Sequence, residues 1–301
     1  MKSSEAAQEV VVVDLGFSSA KYSCGNVKGR VTSGFRSQAG GYVYGEQALI
    51  KAGSSYLKTP EELIRHYPAF VNICLERLGK TGKSVKLAVG LPYLFWAMEN
   101  REGGAVEQLA NNLKSSCDVN SVEVLPQGLG GVRSYLETAG KEISGNVLAV
   151  DIGFNTIIFT LFSIDSGEII YGNTFNKRGI HQMACDHVLP RIAHLAPART
   201  FTPLETSVLV ERGQLQYGFE VFDIRGEVAQ AAQEYVKAVL DDIYGEIQAE
   251  AGTHAIAPNL ILFGGGAALL SGSLPVNTPF SILPEPEYAN ARGFALLAGA
   301  K

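Results

Sequence analysis

The chain has 301 residues, 46% hydrophobic and 18% charged; that balance excludes a disordered polypeptide and leaves room for one large or two medium domains. Net charge is −5, the sequence pI is about 5.6, and no dense Lys/Arg run occurs, which argues against direct nucleic-acid binding through a broad basic surface. Cys24, Cys74, Cys117 and Cys185 are scattered without a CxxC pair, the N-terminus is polar, and no stretch is apolar enough to span a membrane; a soluble cytoplasmic protein with reduced thiols is expected.

Val10–Val13 is a short β-branched run ending in Asp14-Leu-Gly16, the pattern of a buried strand followed by a turn, and Lys21–Cys24 begins a returning strand. Residues 25–59 carry few helix signals. Thr59-Pro60-Glu61-Glu62 then provides a cap, a proline at the first helical position and acids at the positive end of the dipole. That helix is expected to run to Leu78, with Gly79 stopping it. Val85–Val89 reads as a strand, Ala105–Ser116 as a helix, Val122–Leu125 as a strand, and the segment after Pro126-Gln127-Gly128 as a helix to Ala139. Val147–Val150 repeats the opening: a buried strand ending in Asp151-Ile-Gly153. Two strands across 157–175 turn at Asp165-Ser-Gly167. Helices are expected near 179–195, 202–212 and 227–251, then a strand Asn259–Phe263, the glycine run Gly264–Gly266 and a closing helix over Pro286–Ala300. The repeated opening implies two related α/β domains, 1–145 and 146–285, with the C-terminal helix packing back on the first.

Three segments carry chemistry. In the first, Asp14 sits at a strand end, Gly16 and Phe17 form the turn, Ser18 and Ser19 offer hydroxyls and amides, and Lys21 brings a point charge suited to phosphate. Alone, this is equally a plain hairpin with a solvated lysine. Asp151, Gly153, Phe154, Asn155 and Thr156 repeat the arrangement more than a hundred residues later, and two such carboxylates suit Mg2+ held largely through its water shell. The third is Gly264-Gly265-Gly266-Ala267, where missing side chains let a flat base and ribose approach the backbone. It is neither a Walker A loop nor a dinucleotide fingerprint. His181, His187 and His194 lie on or just past one helix, with no carboxylate pair to complete a metal site.

In this order the motifs resemble the superfamily of actin, sugar kinases and heat-shock chaperones, with ribonuclease-H-like domains and a nucleotide cleft between them. Lys21, seven positions after Asp14, is similar to the actin branch; sugar kinases usually lack it. Val122–Gly128 resembles the first connecting segment. Pro286-Glu-Tyr-Ala-Asn290-Ala-Arg-Gly293-Phe resembles the second, as found in the ParM/StbA plasmid-segregation actins. The resemblance implies that Asp14 and Asp151 hold Mg2+ through water, and that Lys21, Ser18, Ser19 and the amides of 153–156 hold the phosphates of ATP or ADP. It also implies that Gln127 orients the attacking water, where segregation actins usually carry Glu. Phe154 and Asn155 depart from the Gly, Ser or Thr usual in the second phosphate loop. The function implied is a polymerising ATPase forming head-to-tail filaments, with a separate adaptor protein binding centromere DNA. A small-molecule kinase would need a carboxylate base; Glu205, Glu211 and Asp223 are spare acids, but none sits in a recognisable sugar-kinase motif. A nucleotide-binding scaffold with little hydrolysis is the third reading.

Overall fold

The computed structural model describes residues 9–50, 53–82, 84–98, 104–140, 143–197, 199–252, 259–274 and 280–300. The chain divides into two compact units, Met1–Ile143 with Glu287–Lys301, and Ser144–Pro286.

The first unit is organised by β1 (Glu9–Leu15), whose valines are buried on both faces as in the middle strand of a covered sheet. The chain meanders through β2 (Ser19–Cys24) and β3 (Val27–Thr32), both antiparallel to their neighbours. A small side sheet follows, made of β4 (Gly34–Gln38), β5 (Gly41–Tyr44) and β6 (Ser55–Tyr56). Helix α1 (Pro60–Arg77) starts where its cap dictates: the Thr59 hydroxyl accepts from the Glu62 amide at 3.2 Å, while the Glu62 carboxylate accepts from the Lys58 amide at 2.7 Å. Leu63, Tyr67, Phe70, Val71 and Cys74 recur at helical spacing and are fully buried, each large apolar side chain contributing roughly 1.5–3 kcal/mol. Then come β7 (Val85–Leu91), α2 (Tyr93–Met98), α3 (Ala105–Ser116), β8 (Ser121–Pro126) and α4 (Leu129–Ala139). The sheet order is β3-β2-β1-β7-β8, with β7 and β8 parallel to β1.

The second unit repeats this plan. β9 (Asn146–Ile152), β10 (Thr156–Ser163) and β11 (Glu168–Asn176) form an antiparallel meander. The helix expected over 179–195 is instead α5 (Ile180–Met183), a π-helical stretch Ala184–Val188, and α6 (Leu189–Ile192). Pro190 has no N–H to give to Asp186, so the α-helical ladder cannot run through. After α7 (Pro203–Arg212), a hairpin of β12 (Gln214–Tyr217) and β13 (Glu220–Asp223) leads into α8 (Arg225–Ala251). That long helix buries Val228, Ala232, Tyr235, Val239, Ile243 and Ile247 along one stripe. β14 (Asn259–Phe263), α9 (Ala267–Ser271) and β15 (Phe280–Ile282) complete the unit, and the sheet order β11-β10-β9-β14-β15 matches the first in sequence and direction.

The last helix, α10 (Ala289–Leu297), is shorter than the 286–300 expected, because Pro286–Tyr288 forms a single tight turn before it. It packs on α4, β1 and β7. The crossing with α4 is backbone on backbone: a Cβ on Gly293 would overlap the Gly130 carbonyl, and one on Gly130 would lie 2.7 Å from the Asn290 Cα. No helix among the described residues is long and apolar enough to cross a membrane.

Candidate functional site

Asp14 is 5% exposed near the C-terminal end of β1. The turn after it closes by a bond from the Gly16 amide to the Ser19 carbonyl, 3.1 Å. Ser33, fully buried, holds the outer side of that turn: its hydroxyl donates to the Gly16 carbonyl at 2.6 Å and its amide to the Ser18 carbonyl at 2.9 Å. Across a planar trans peptide the N–H points opposite to the C=O, so the Phe17 and Ser19 amides face away from Ser33. The Phe17 ring is 4% exposed and anchors the turn in the core, whereas Ser18 and Ser19 are partly open. Lys21 stands opposite Asp14 in the β1–β2 ladder, and its ammonium donates to the Ser19 carbonyl at 3.3 Å.

The Asp14 carboxylate is gripped from the side. Gln127, 5% exposed just after β8, donates its Nε2 to Asp14 Oδ1 at 2.6 Å. Asn290, on the first turn of α10, also hydrogen-bonds Asp14. Burial pushes the Asp14 carboxyl above its ordinary range; the Lys21 charge and the two amides oppose that. Gly90 of β7 is a glycine for this reason, since a Cβ there would meet Phe294 at 2.7 Å and Asp14 Oδ1 at 2.9 Å. Behind the carboxylate, the buried Tyr67 hydroxyl accepts from the Leu15 and Gly90 amides at 3.2 and 3.1 Å. It is within donating reach of the Val13 and Gly90 carbonyls, at 2.9 and 3.0 Å. It thereby satisfies backbone groups where β1 and β7 part, and burial holds its own proton on well above the ordinary tyrosine range.

In the second unit Asp151 is 9% exposed at the matching place on β9. Its turn closes identically, Gly153 amide to Thr156 carbonyl at 2.9 Å. The carbonyls of Gly153, Phe154 and Asn155 accept from the amides of Ile180, His181 and Arg178 at 3.1, 2.9 and 3.2 Å. By the same peptide geometry, the amides of Phe154, Asn155 and Thr156 aim to the opposite side as one group. Gly153's own amide is engaged in closing the turn, so it drops out of the set of four expected from sequence. The Phe154 ring stacks on His181, centroids 5.1 Å apart at 20°, and Gly179 leaves room for the Phe154 carbonyl. Burial pushes the His181 imidazole below its usual range. Lys177 adopts a left-handed φ of 56°, and the Arg178 guanidinium pairs with Asp242 of α8.

The glycine run has mixed reasons. Gly264, at φ 87°, lies so close to Asp151 Oδ1 that a Cβ would overlap it. Gly266 is crowded by Ile152 and Ile180, and Gly265 alone faces open space. The amides of Gly264, Gly266 and Ala267 bond the carbonyls of Pro286, Ile152 and Gly264. Of the acids considered for a kinase, Glu205 closes a capping box with Thr202 and pairs with Arg199 at 3.0 Å. Arg225 holds Asp223 down to about 2. Among the described residues no group of three or more His, Cys, Asp or Glu is arranged for a metal ion.

Sequence reasoning missed Ser33, Tyr67, Gly90 and Asn290. Tyr67 was legible only as an apolar helix position. Asn290 did leave a signal, a single amide in the apolar run Ala289–Leu297.

No protein-family model and no curated protein matches the sequence. Solved structures do match it, along nearly their whole length. A 15-stranded ParM filament from Clostridium botulinum is 14% identical with a TM-score of 0.77, covering 97% of this chain and 99% of that one. The archaeal actin homologue Ta0583, in complex with ADP, is 13% identical with a TM-score of 0.73, covering 98% and 100%. Bacillus thuringiensis ParM with ATP is 13% identical with a TM-score of 0.63, covering 97% and 98%. Identities this low establish architecture rather than activity: the chain has the actin fold, in the form shared by ParM and archaeal actin homologues.

Proposed function

We propose that this protein is an actin-fold ATPase that binds Mg-ATP or Mg-ADP through the Asp14 and Asp151 turns and assembles head-to-tail into nucleotide-dependent filaments. The observation that carries the reading is the repeated turn. Two buried aspartates, each ending a central strand, are followed by turns with the same Gly-to-i+3 closure. In both, carbonyls are tied back so that amides face outward.

The donors fit a hydrated divalent ion. Both carboxylates are hard oxygen acceptors, and Asp14 is already committed to amide donors, which suits contact through an ion's water ligands. When bound, Mg2+ supplies charge neutralisation for the phosphates. The chain's own groups do the rest. Lys21, Ser18, Ser19 and the outward amides of Phe154, Asn155 and Thr156 bind phosphate oxygens. Gln127 has its amide orientation set by Asp14: a carboxylate accepts only, so Nε2 must face it and Oε1 becomes the acceptor end. An acceptor so fixed orients a water for attack on the terminal phosphate without acting as a strong base, and positioning suffices in phosphoryl transfer.

A head-to-tail contact uses two different surfaces and so propagates instead of closing. We extend the reading to DNA segregation through an adaptor bound to centromere DNA; the fold likeness to a ParM filament and the absence of a dense basic run support it. Sedimentation with ATP, with ADP and without nucleotide is the test, with phosphate release measured alongside. Pelleting with ATP together with phosphate release supports the reading. No nucleotide binding at all would overturn it, and binding without pelleting or release would leave a scaffold.

A further inference from the structure

We propose that Asn290 is a positioning residue that sets the hydrolytic geometry of Gln127 and Asp14 from another helix; this rests on the ATPase reading for its kinetic consequence, though not for its structural one.

Asn290 is 4% exposed, so every polar atom it carries must be satisfied inside the protein. Its Oδ1 accepts from the Gly128 amide at 3.1 Å and the Gly131 amide at 3.3 Å. These are orphan donors at the start of α4, and no side chain at that helix's own N-cap, Gly128, takes them. Two N–H groups on one end of the amide fix which end is oxygen. The NH2 end therefore points the other way, and there the side chain hydrogen-bonds Asp14.

The bonds form a closed ring. Asp14 binds Gln127, Gln127 is followed by Gly128, Gly128 binds Asn290, and Asn290 binds Asp14. Gln127's backbone is held independently, its amide donating to the Leu91 carbonyl at 2.7 Å. Neither Gln127 nor Asp14 can rotate without breaking a buried charge-assisted bond. The ring also joins three distant parts of the chain: the end of β1, the start of α4 and the start of α10. Helix spacing restricts what fits. α4 and α10 approach so closely that a Cβ on Gly130 would lie 2.7 Å from the Asn290 Cα and its carbonyl oxygen, which fixes the Asn290 backbone against the start of α4.

Two variants separate positioning from capping. Asn290→Ala removes both ends of the link. Asn290→Asp keeps an acceptor for the α4 amides, with a charge suited to a helix N-terminus, but replaces the donor to Asp14. In nucleotide-free protein labelled with 15N-glutamine, the Gln127 side-chain amide is identified by its disappearance in Gln127→Ala. Its exchange with solvent should speed up roughly tenfold or more in both Asn290 variants. Turnover per bound nucleotide should fall roughly tenfold in both, with nucleotide affinity within about threefold of the parent. Both variants should melt below the parent, Asn290→Asp because two carboxyl groups then share one buried site. An unchanged Gln127 amide in both variants would show that Asn290 only caps α4 and would overturn the proposal. Because the amide measurement uses no nucleotide, a failure of the ATPase reading is recognised separately, by absence of binding in the parent protein.

Discussion

The two turns are built alike in backbone and differently in charge. Each follows a buried aspartate on the central strand, closes by the same short bond, and has a glycine on or just beyond the parallel neighbour strand pressed against the carboxylate: Gly90 in the first unit, Gly264 in the second. The register places Lys21 opposite Asp14, but the buried Ile158 opposite Asp151. The first turn is tied back by a serine side chain, the second by the backbone of residues 178–181. A duplicated scaffold has thus kept its backbone geometry, and the first unit alone places a lysine opposite its aspartate. On the proposed function, both turns bind phosphate, and the first adds the Lys21 charge and the Gln127 acceptor.

The largest expected effect tests the shared backbone. Gly264→Ala combines a forbidden φ with overlap onto Asp151 and should cost about 3 kcal/mol of stability, visible as a lowered Tm. Gly265→Ala next to it meets open space and should leave Tm unchanged. If both behaved alike, the close packing of Gly264 on Asp151 would be wrong. Gln127→Ala tests the chemistry assigned to the first unit. Turnover should drop on the order of a hundredfold while nucleotide affinity changes little, and vanished binding would contradict the role given to Gln127.

Charge comes next. Lys21→Met should weaken ATP binding about tenfold, roughly 1.4 kcal/mol, and flatten its salt dependence. The matched change Ile158→Met should do neither; equal losses would erase the asymmetry between the turns. The smallest effect concerns the second unit's core. Thr160 is fully buried on β10, and its hydroxyl has no hydrogen-bond partner among the described residues. Thr160→Val should stabilise by about 1 kcal/mol in denaturant melts, and a loss instead would reveal a partner for that hydroxyl.

Much of this fold was legible in sequence because its signals are local. Thr59-Pro60 starts α1 by capping chemistry, and each apolar strand ending in Asp-x-Gly marks a sheet centre. What stayed hidden depends on tertiary contact. Helix α2 buries no residue, so it offers no periodic stripe to read. The β12–β13 hairpin is four residues a side, with a single buried side chain, Leu215. In the candidate site, Asp14 and Gln127 stand out by motif. Ser33 and Tyr67 act on backbone groups far away in the chain, and no local pattern announces such bonds; Asn290 stands in a recognisable segment, but nothing local names its partners.

The discontinuity of the first unit sets an order of events during synthesis. The second unit is one uninterrupted stretch, Ser144–Pro286, and has all its strands once that stretch has left the ribosome. The first unit has its sheet early but lacks α10, which covers β1 and β7 and supplies Asn290 to the start of α4. β1 and β7 lack that cover until residues 289–297 are made, so the unit whose strands are translated first is completed after the other.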